Sequence, residues 1–497
     1  MEIALTEQTL PSLREEVARP NYARSDVRVG IAHIGVGGFH RSHQAMYLDR
    51  LMNAGADARE WGICGVGLLE HDARMRDVLA AQDGLYTLML KSAGGERHAR
   101  VIGSIVEYVY APDDPQAAAE RLADPAIRIV SMTVTEGGYN VLRSTGEFDA
   151  DAPGIREDVA TPDAPRTVFG LVVEALRLRH DRGVDPFTVM SCDNIPGNGE
   201  VAQRAFTAFA ELRDPELAEW IRQTVAFPSS MVDRITPVTS PDDVDELRER
   251  FGVVDAGPVV AEPWEQWVLE DRFPTGRPAY EDAGVQMVED VIPYELMKLR
   301  LLNCTHQAMA YFGHLSGYVH AHEAVADPAI RRLLTDYMDR EATPTLPPVP
   351  GIDLGVYKAS LRERYANPDV RDTLARLCAD SSDRIPTWMV PVIREQLDAG
   401  GEVRLCAAIV ASWARYAEGT DEDGRPIEVV DRLRDRVVAA ARRDRQEPGA
   451  FLDDRELFGD LRDDSRFVDA YVEAVGLIRD LGAREALRRI LGEAASA

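Results

Sequence analysis

Lysine is almost absent from this chain. Only Lys91, Lys298 and Lys358 occur in 497 residues, so the other 53 of the 56 basic residues are arginines. A guanidinium stays protonated at every working pH, whereas desolvation lowers the pKa of a lysine amine from about 10.4 toward the neutral range. Each of the three lysines is therefore a candidate for proton chemistry that arginine cannot perform.

Positive charge as a whole is also scarce. Asp and Glu number 84 against 56 Lys and Arg, which gives a formal net charge of -28. A field of this sign repels phosphate backbones and anionic lipid surfaces. We therefore expect neither a nucleic-acid partner nor a membrane partner.

Long apolar stretches and paired cysteines are missing too. The longest apolar stretch, residues 405–414, is far shorter than the roughly 20 residues of a membrane-spanning helix and predicts a buried helix instead. The first 20 residues lack the basic start and apolar core of a secretory signal. The five cysteines are odd in number and far apart, which argues against a disulfide framework or a zinc knuckle. These features favour a cytoplasmic protein.

The first half of the chain alternates short apolar strands with helices. Residues 27–34 (VRVGIAHI) predict a buried parallel strand that leads into glycines and then into a helix over 42–53. Other strands are predicted at 61–68, 101–109, 127–135 and 187–192, with a helix at 167–180. This alternation is typical of a doubly wound, Rossmann-like α/β sheet.

The second half has a different pattern. Beyond about residue 290, helical periodicity replaces strand patterns, at 294–312, 328–340, 405–418, 428–443 and 465–481. We therefore expect two domains: an α/β domain over residues 1–290 and a mostly α-helical domain over 291–497.

The turn after the first strand has the chemistry of a phosphate cradle. Gly35-x-Gly37 follows a strand and precedes a helix, so backbone amides can approach a pyrophosphate closely. The dinucleotide fingerprint has a third small residue where this chain has His40. A purely structural glycine turn therefore stays open at this point.

An acidic residue that binds the adenosine ribose is expected after the second strand. Glu70 and Asp72 are both placed for that role, and a carboxylate there favours NAD over NADP. Helix capping explains either residue equally well from spacing alone, and Arg74 leaves NADP open.

Lys298, Asn303 and His306 lie on one predicted helix. In an α-helix Asn303 would be about 140° and His306 about 80° around the axis from Lys298. Three polar groups among leucines are costly to bury without partners, which indicates a shared polar pocket. The alternative is that Lys298 reaches solvent while the other two bond to backbone. The scarcity of lysine favours the pocket, with the amine as a general base.

A second polar segment, Ser191–Gly199 (SCDNIPGNG), follows the apolar strand at 187–192. Ligands of open α/β sheets bind at the carboxyl ends of strands, and the amide of Asn194 can donate two hydrogen bonds there. A plain turn accounts for Pro196–Gly199 better than for Asp193 and Asn194.

The chain resembles the polyol-specific long-chain dehydrogenases over nearly its full length, and among them those that act on mannitol. The resemblance is carried by GIAHIGVGGFHRSHQ (30–44), WGICGVGL (61–68), TEGGY (135–139), SCDNIPGNG (191–199), FPSSMVDRITP (227–237), EPWEQWVLED (262–271) and KLRLLNCTHQ (298–307). KxxxxNxxH together with CDN is specific to that family. The resemblance implies an N-terminal domain that binds NAD, a C-terminal domain that binds substrate and carries out catalysis, and a monomer.

The resemblance also implies a catalytic role for four residues. Lys298 would be the general base, Asn194 and Asn303 would form an oxyanion hole, and His306 would orient the substrate. The cofactor site is expected at Gly35, Gly37, Gly38, Phe39 and Asp72. Asp233 and Arg376 would contact substrate hydroxyls, and Glu136 would gate proton exchange with solvent.

The activity implied is metal-independent hydride transfer between NAD(H) and a polyol/ketose pair, D-mannitol and D-fructose. Alternatives within the family are hexuronate reductases, which use fructuronate or tagaturonate, and dehydrogenases of arabinitol or sorbitol. A zinc-dependent polyol dehydrogenase would need convergent ligands, and only His320-x-His322 suggests any. A catalytically silent NAD-binding scaffold or redox sensor is the alternative from another functional class.

Overall fold

The computed structural model describes residues 2–141 and 147–492. The described residues form two compact units, and the division falls between Val291 and Ile292. In the described part of the chain, no helix combines the length and the apolar composition needed to cross a membrane.

The first unit contains all the strands found in the described residues. They are β1 Ile3–Ala4, β2 Val17–Ala18, β3 Val29–Ile34, β4 Gly62–Gly67, β5 Tyr86–Lys91, β6 Arg97–Ile102, β7 Ile105–Tyr110, β8 Ile129–Met132, β9 Thr188–Ser191, β10 Ser230–Asp233, β11 Val253–Val254, β12 Val259–Ala261, β13 Gln266–Glu270 and β14 Gln286–Val288.

The helices of the first unit cover this sheet system. They are α1 Gly38–Ser42, α2 Gln44–Ala54, α3 Ala73–Ala81, α4 Pro115–Ala123, α5 Pro153–Ala160, α6 Val168–Arg182, α7 Asn198–Arg213, α8 Pro215–Thr224 and α9 Pro241–Phe251.

The main sheet has five parallel strands in the order β7-β4-β3-β8-β9. The chain starts at the central β3, adds β4 and β7 on one side, and then adds β8 and β9 on the other. This order confirms the predicted doubly wound fold. It also creates a topological switch point at the carboxyl end of β3, where open α/β sheets bind their ligands.

Side chains alternate between the two faces of the sheet, because successive residues of a strand point in opposite directions. Ala32 and Ile34 of β3 pack into a core with helices α4, α6 and α7, whereas Ile31 packs into a second core with α2. Both faces are buried, which explains why the strands are almost uniformly apolar.

The second unit is helical, and its described residues contain isolated β-bridges but no strand. Its α-helices are α10 Ile292–Met297, α11 Cys304–Leu315, α12 Ala321–Ala326, α13 Pro328–Asp336, α14 Leu354–Tyr365, α15 Leu374–Cys378, α16 Ser381–Arg384, α17 Val390–Ala399, α18 Arg404–Ala417, α19 Arg434–Asp444, α20 Arg455–Phe458, α21 Ser465–Leu481 and α22 Ala483–Ile490. Three segments are π-helical: Lys298–Asn303, Tyr337–Ala342 and Ile385–Met389.

Two sequence-based boundaries were wrong. The strand predicted at 101–109 is two strands, because the Gly103 amide donates to Asp49 and the Ser104 hydroxyl donates to the Ala45 carbonyl between β6 and β7. The helix predicted at 428–443 begins only at Arg434. The carboxylate of Asp431 accepts bonds from Ser382 and from the Leu433 amide, which holds the preceding residues in a turn.

Helix α18 begins against a buried carboxylate from a distant segment. Glu341 is fully buried and accepts hydrogen bonds from the amides of Leu405 and Cys406, each at 2.7 Å. Burial raises the pKa of Glu341, while these amide donors oppose that shift. The carboxylate satisfies two backbone donors that the first turn of a helix otherwise leaves open.

We expect Glu341→Ala to lower the free energy of unfolding by about 2–4 kcal/mol, because two buried amides lose their acceptor. Urea titration monitored by circular dichroism measures this loss. The control is Glu402→Ala, which removes a half-exposed ion pair with Arg340 and is expected to cost less than about 1 kcal/mol. Equal effects of the two substitutions would contradict the capping role.

Candidate functional site

Four of the predicted site segments leave the main sheet at the same edge. In the sheet register Ile34 lies opposite Val66 and Met132, and Met132 lies opposite Ser191. The strands β3, β4, β8 and β9 therefore end almost level. The turns that follow them carry the glycines, Asp72, Glu136 and Asn194, so the first unit gathers these segments along one edge.

The glycine turn is tight and leaves open space in front of it. Gly35 has φ +91°, and a Cβ on it would lie 2.3 Å from the Thr133 carbonyl oxygen, so only glycine fits. A Cβ on Gly37 would have no neighbour closer than 4.0 Å. Packing within the protein therefore does not require this second glycine, whereas close approach of a pyrophosphate to the backbone does. The turn fits a dinucleotide cofactor.

His40 occupies the position of the third small residue of the dinucleotide fingerprint, where helix α1 packs against strand β3. Its ring stacks on that of His33 in β3, with centroids 3.4 Å apart, and both side chains are buried. Burial lowers the pKa of His33 to about 3 and holds that of His40 well below its ordinary value. Two neutral imidazoles thus fill the contact between helix and strand.

Asp72 lies after β4 and also organises its own loop. One carboxylate oxygen accepts bonds from the amides of Leu68 and Leu69, both at 2.9 Å. Asp72 therefore caps its own loop with one carboxylate oxygen, and this does not prevent the residue from binding a ligand as well. Glu70, the other candidate, is exposed.

Asp193 and Asn194 follow β9, as predicted. Nearby, Asp233 ends β10, is 3% exposed and accepts a hydrogen bond from the indole of Trp264 at 3.1 Å. The Ser230 hydroxyl at the start of β10 donates to the Ser191 carbonyl at 2.6 Å. This bond connects β10 to the end of β9. Of Glu136, the structure describes the backbone, which begins a short turn through Tyr139, but the side chain lies outside the described part of the chain.

The lysine helix in the second unit departs from α geometry. The segment Lys298–Asn303 is π-helical, between α10 and α11. Hydrogen bonds from residue i to i+5 bring residues five apart onto the same face. The predicted separation of 140° between Lys298 and Asn303 was therefore wrong. His306 follows three residues later in α11, about one turn on. The three side chains share a narrower face than an α-helix would give them.

Side chains from other helices brace this π-helical segment. The Arg300 guanidinium makes two bonds to Glu395, at 2.6 and 2.7 Å, and one to the Thr345 carbonyl. The Tyr337 hydroxyl donates to the Arg300 carbonyl at 3.1 Å, and the Tyr365 hydroxyl donates to the Leu302 carbonyl at 3.1 Å. These donors satisfy carbonyls at the place where the helical hydrogen-bond pattern changes.

The three polar residues of the lysine helix are buried. Lys298, Asn303 and His306 are 5%, 7% and 8% exposed. Among the described residues the side-chain oxygen of Asn303 has no hydrogen-bond partner. The His306 ring contacts that of Tyr365, with centroids 4.8 Å apart. A buried amine, amide and imidazole on one face can bind a small molecule rich in hydroxyl groups.

Arg376 is held by a carboxylate that the sequence analysis missed. Its Nε and Nη2 donate to the two oxygens of Asp372, both at 2.6 Å. Burial alone would raise the pKa of Asp372, but the Arg376 charge and hydrogen bonds lower it below its ordinary value. The remaining nitrogen, Nη1, makes no hydrogen bond to the described residues. The spacing of Asp and Arg four residues apart is the only sequence signal for this pair.

The described residues contain no group of three or more His, Cys, Asp or Glu side chains placed to hold a metal ion. The rings of His320 and His322 stack on each other with centroids 5.4 Å apart. The Glu323 carboxylate lies 3.6 Å from the His320 ring, but in the described part of the chain no metal-binding group of three forms around this pair.

Two family models match the chain. The mannitol dehydrogenase Rossmann domain matches residues 29–282, and the mannitol dehydrogenase C-terminal domain matches residues 290–478. Mannitol dehydrogenase 2 of Saccharomyces cerevisiae is 44% identical over 99% of this chain and 98% of its own length. Mannitol 2-dehydrogenase of Aspergillus fumigatus is 44% identical over 95% of each chain.

Two solved structures are also similar. Pseudomonas fluorescens mannitol 2-dehydrogenase, in ternary complex with NAD and D-mannitol, superposes with a TM-score of 0.96 at 45% identity, over 99% of this chain and 100% of that one. A substrate-free D-sorbitol dehydrogenase superposes with a TM-score of 0.83 at 38% identity, over 97% and 100%. Full-length matches of sequence, family model and fold agree, and the chain belongs to the mannitol dehydrogenase family.

Proposed function

We propose that this protein is an NAD-dependent polyol dehydrogenase that interconverts D-mannitol and D-fructose. The observation that supports this proposal most strongly is the match to an enzyme solved with NAD and D-mannitol, at 45% identity over 99% of this chain and 100% of that one. The D-sorbitol dehydrogenase matches less well in both sequence and fold, which favours mannitol over sorbitol.

The first unit would bind the cofactor. Gly35 and Gly37 lie in the turn before α1, Gly38 and Phe39 are its first two residues, and the space in front of Gly37 is open. The half-buried Asp72 would accept bonds from the adenosine ribose and repel a 2′-phosphate. NAD supplies the nicotinamide carbon that exchanges hydride with C2 of the substrate.

The second unit would supply the base. Lys298 in its neutral form takes the proton of the substrate hydroxyl during oxidation and returns it during reduction. His306 donates a hydrogen bond that orients the same hydroxyl. Arg376, fixed by Asp372, and Asp233 would bind the other hydroxyl groups.

Two amides would stabilise the oxygen that becomes negative in the transition state. Asn194 and Asn303 each carry an NH₂ group, and neither carries a charge that would have to be desolvated. The Asn303 oxygen has no hydrogen-bond partner among the residues that the structure describes, which agrees with an amide placed to bind a ligand. Glu136 would pass the proton between the site and solvent.

A turnover panel tests the substrate assignment. NADH is offered with fructose, fructuronate and tagaturonate, and NAD with mannitol, sorbitol and arabinitol. We expect the highest kcat/KM for fructose and mannitol. We also expect a preference for NADH over NADPH of about tenfold or more, because Asp72 repels the 2′-phosphate.

The same panel separates the alternatives. Activity that survives exhaustive EDTA treatment agrees with a proton-transfer mechanism based on lysine, whereas its loss would favour a zinc enzyme. A uronate used tenfold better than fructose would make the protein a hexuronate reductase. If the protein turns over none of these substrates with either cofactor, the alternative of a catalytically silent NAD-binding scaffold or redox sensor is favoured.

A further inference from the structure

Asp193 connects two of the turns at the ligand-binding edge. Its side chain is 8% exposed and lies one residue before Asn194. One carboxylate oxygen accepts from the Thr135 amide at 2.9 Å, and the other accepts from the Val134 amide at 3.1 Å and from the Tyr139 hydroxyl at 2.8 Å. These bonds cross from the loop after β9 to the turn after β8.

The turn that Asp193 holds is strained. Thr135 has φ 66° and ψ 167°, a backbone region that is almost exclusive to glycine. A β-branched residue stays in such a conformation only when its surroundings impose it. The two amides bonded to the Asp193 carboxylate belong to the consecutive peptides on either side of the Val134 Cα, so this carboxylate fixes the peptide that leads into Thr135. The next residue is Glu136.

The backbone of Asp193 fixes its own loop as well. Its carbonyl accepts from the Ile195 amide at 2.9 Å and from the side chain of Asn198 at 3.0 Å, and its amide donates to the Ser191 hydroxyl at 3.3 Å. The main chain is therefore held on both sides of Asn194.

Tyr139 makes a further contact between the turn after β8 and the end of β9. Its side chain is 1% exposed, and its hydroxyl contacts the Ser191 hydroxyl at 2.5 Å in addition to Asp193. Burial, and then the charge of Asp193, raises the pKa of Tyr139 well above its ordinary value. The hydroxyl therefore stays protonated and remains a donor to the carboxylate.

We propose that Asp193 is a positioning residue, which holds the segment of Glu136 and the loop of Asn194 in fixed relation through a single carboxylate. The inference rests on the proposed function, since it assigns significance to Glu136 and Asn194 by their roles there. Asp193 acts through these neighbours, because its oxygens accept hydrogen bonds from the Val134 and Thr135 amides and from the Tyr139 hydroxyl.

Asp158 provides a matched control. Like Asp193, it is a buried aspartate of the first unit, and it accepts from two consecutive amides, those of Arg166 and Thr167, and from the Thr167 hydroxyl. Asp158→Asn and Asp193→Asn therefore remove the same kind of interaction. Only the second lies at the proposed site.

The experiment compares steady-state kinetics and amide hydrogen exchange of the two variants. We expect Asp193→Asn to lower kcat for mannitol oxidation by about 10- to 100-fold, with the KM for NAD changed less than threefold, because misplacement by about 1 Å costs on this scale. Exchange in residues 134–139 should accelerate. Asp158→Asn should lose comparable stability and keep kcat within about twofold.

A kcat within twofold of wild type for folded Asp193→Asn would overturn the inference, as would equal losses of kcat in the two variants. If wild type turns over no polyol, the proposed function fails, and faster exchange confined to Asp193→Asn still supports the connection between the turns. If Asp193→Asn does not fold, Thr135→Gly relieves the strain in the same chain. The double variant should then fold and still show the low kcat.

Discussion

Lys298→Ala is expected to lower kcat for mannitol oxidation by about 10³-fold, within the range that general acid–base catalysis contributes. No other titrating amine lies on the face shared with Asn303 and His306 in the described residues, so nothing replaces the base. Stopped-flow measurement of NADH formation at saturating substrate measures the loss. Oxidation by the wild-type enzyme should rise with pH, because the neutral amine is the active form, and fructose reduction should fall.

The chain offers clean controls for this substitution. Lys358 pairs with Asp339 on the second unit, and Lys358→Ala should leave kcat within about twofold. Lys298→Arg keeps the positive charge but cannot become neutral, so it should be nearly as inactive as Lys298→Ala. Added ethylamine should partly rescue the alanine variant. Near-native turnover of folded Lys298→Ala at neutral pH would show that another group is the base.

Asn303→Ala should lower kcat by about 10²- to 10³-fold with little change in the KM for NAD, as loss of one oxyanion donor does in other enzymes. The amide is buried and its oxygen has no partner among the described residues, so its removal costs little stability. Parallel thermal melts and kinetics separate the two effects.

The isosteric variant Asn303→Asp sharpens this test. It keeps the shape of the side chain but replaces the donor by a carboxylate beside the developing alkoxide, so we expect it to be at least as slow as Asn303→Ala. Asn194→Ala should show a loss of similar size. If Asn303→Ala keeps kcat within threefold, the oxyanion stabilisation belongs elsewhere.

Local patterns were sufficient to predict much of the fold. The apolar run at 27–34 followed by glycines predicted the strand–turn–helix of β3 and α2, because burial on both faces leaves a uniform apolar signature, but it did not predict the short α1 between them. Helical periodicity placed α21 at its observed residues and α18 within one residue of its ends. Signals of this kind depend on neighbours along the chain.

The features that the sequence did not reveal depend on contacts between distant residues. The π-helical turn at Lys298–Asn303 leaves no distinct apolar period, and its braces come from Glu395, Tyr337 and Tyr365. Asp193 reaches amides 58 and 59 residues away. Lysine scarcity nevertheless pointed to Lys298, because that signal concerns chemistry rather than geometry. The roles assigned to the site residues remain predictions for the experiments above.

The π-helical turn has a consequence for how related chains are compared. A helix of this kind contains one residue more than a regular α-helix of the same path. Since each α-helical residue advances by about 100° around the axis, deleting that residue would rotate everything through Leu315 out of phase with Lys298. A single-residue gap in an alignment between Lys298 and His306 would therefore mark a change of ligand specificity or a loss of activity, however well the flanking hydrophobic positions agree.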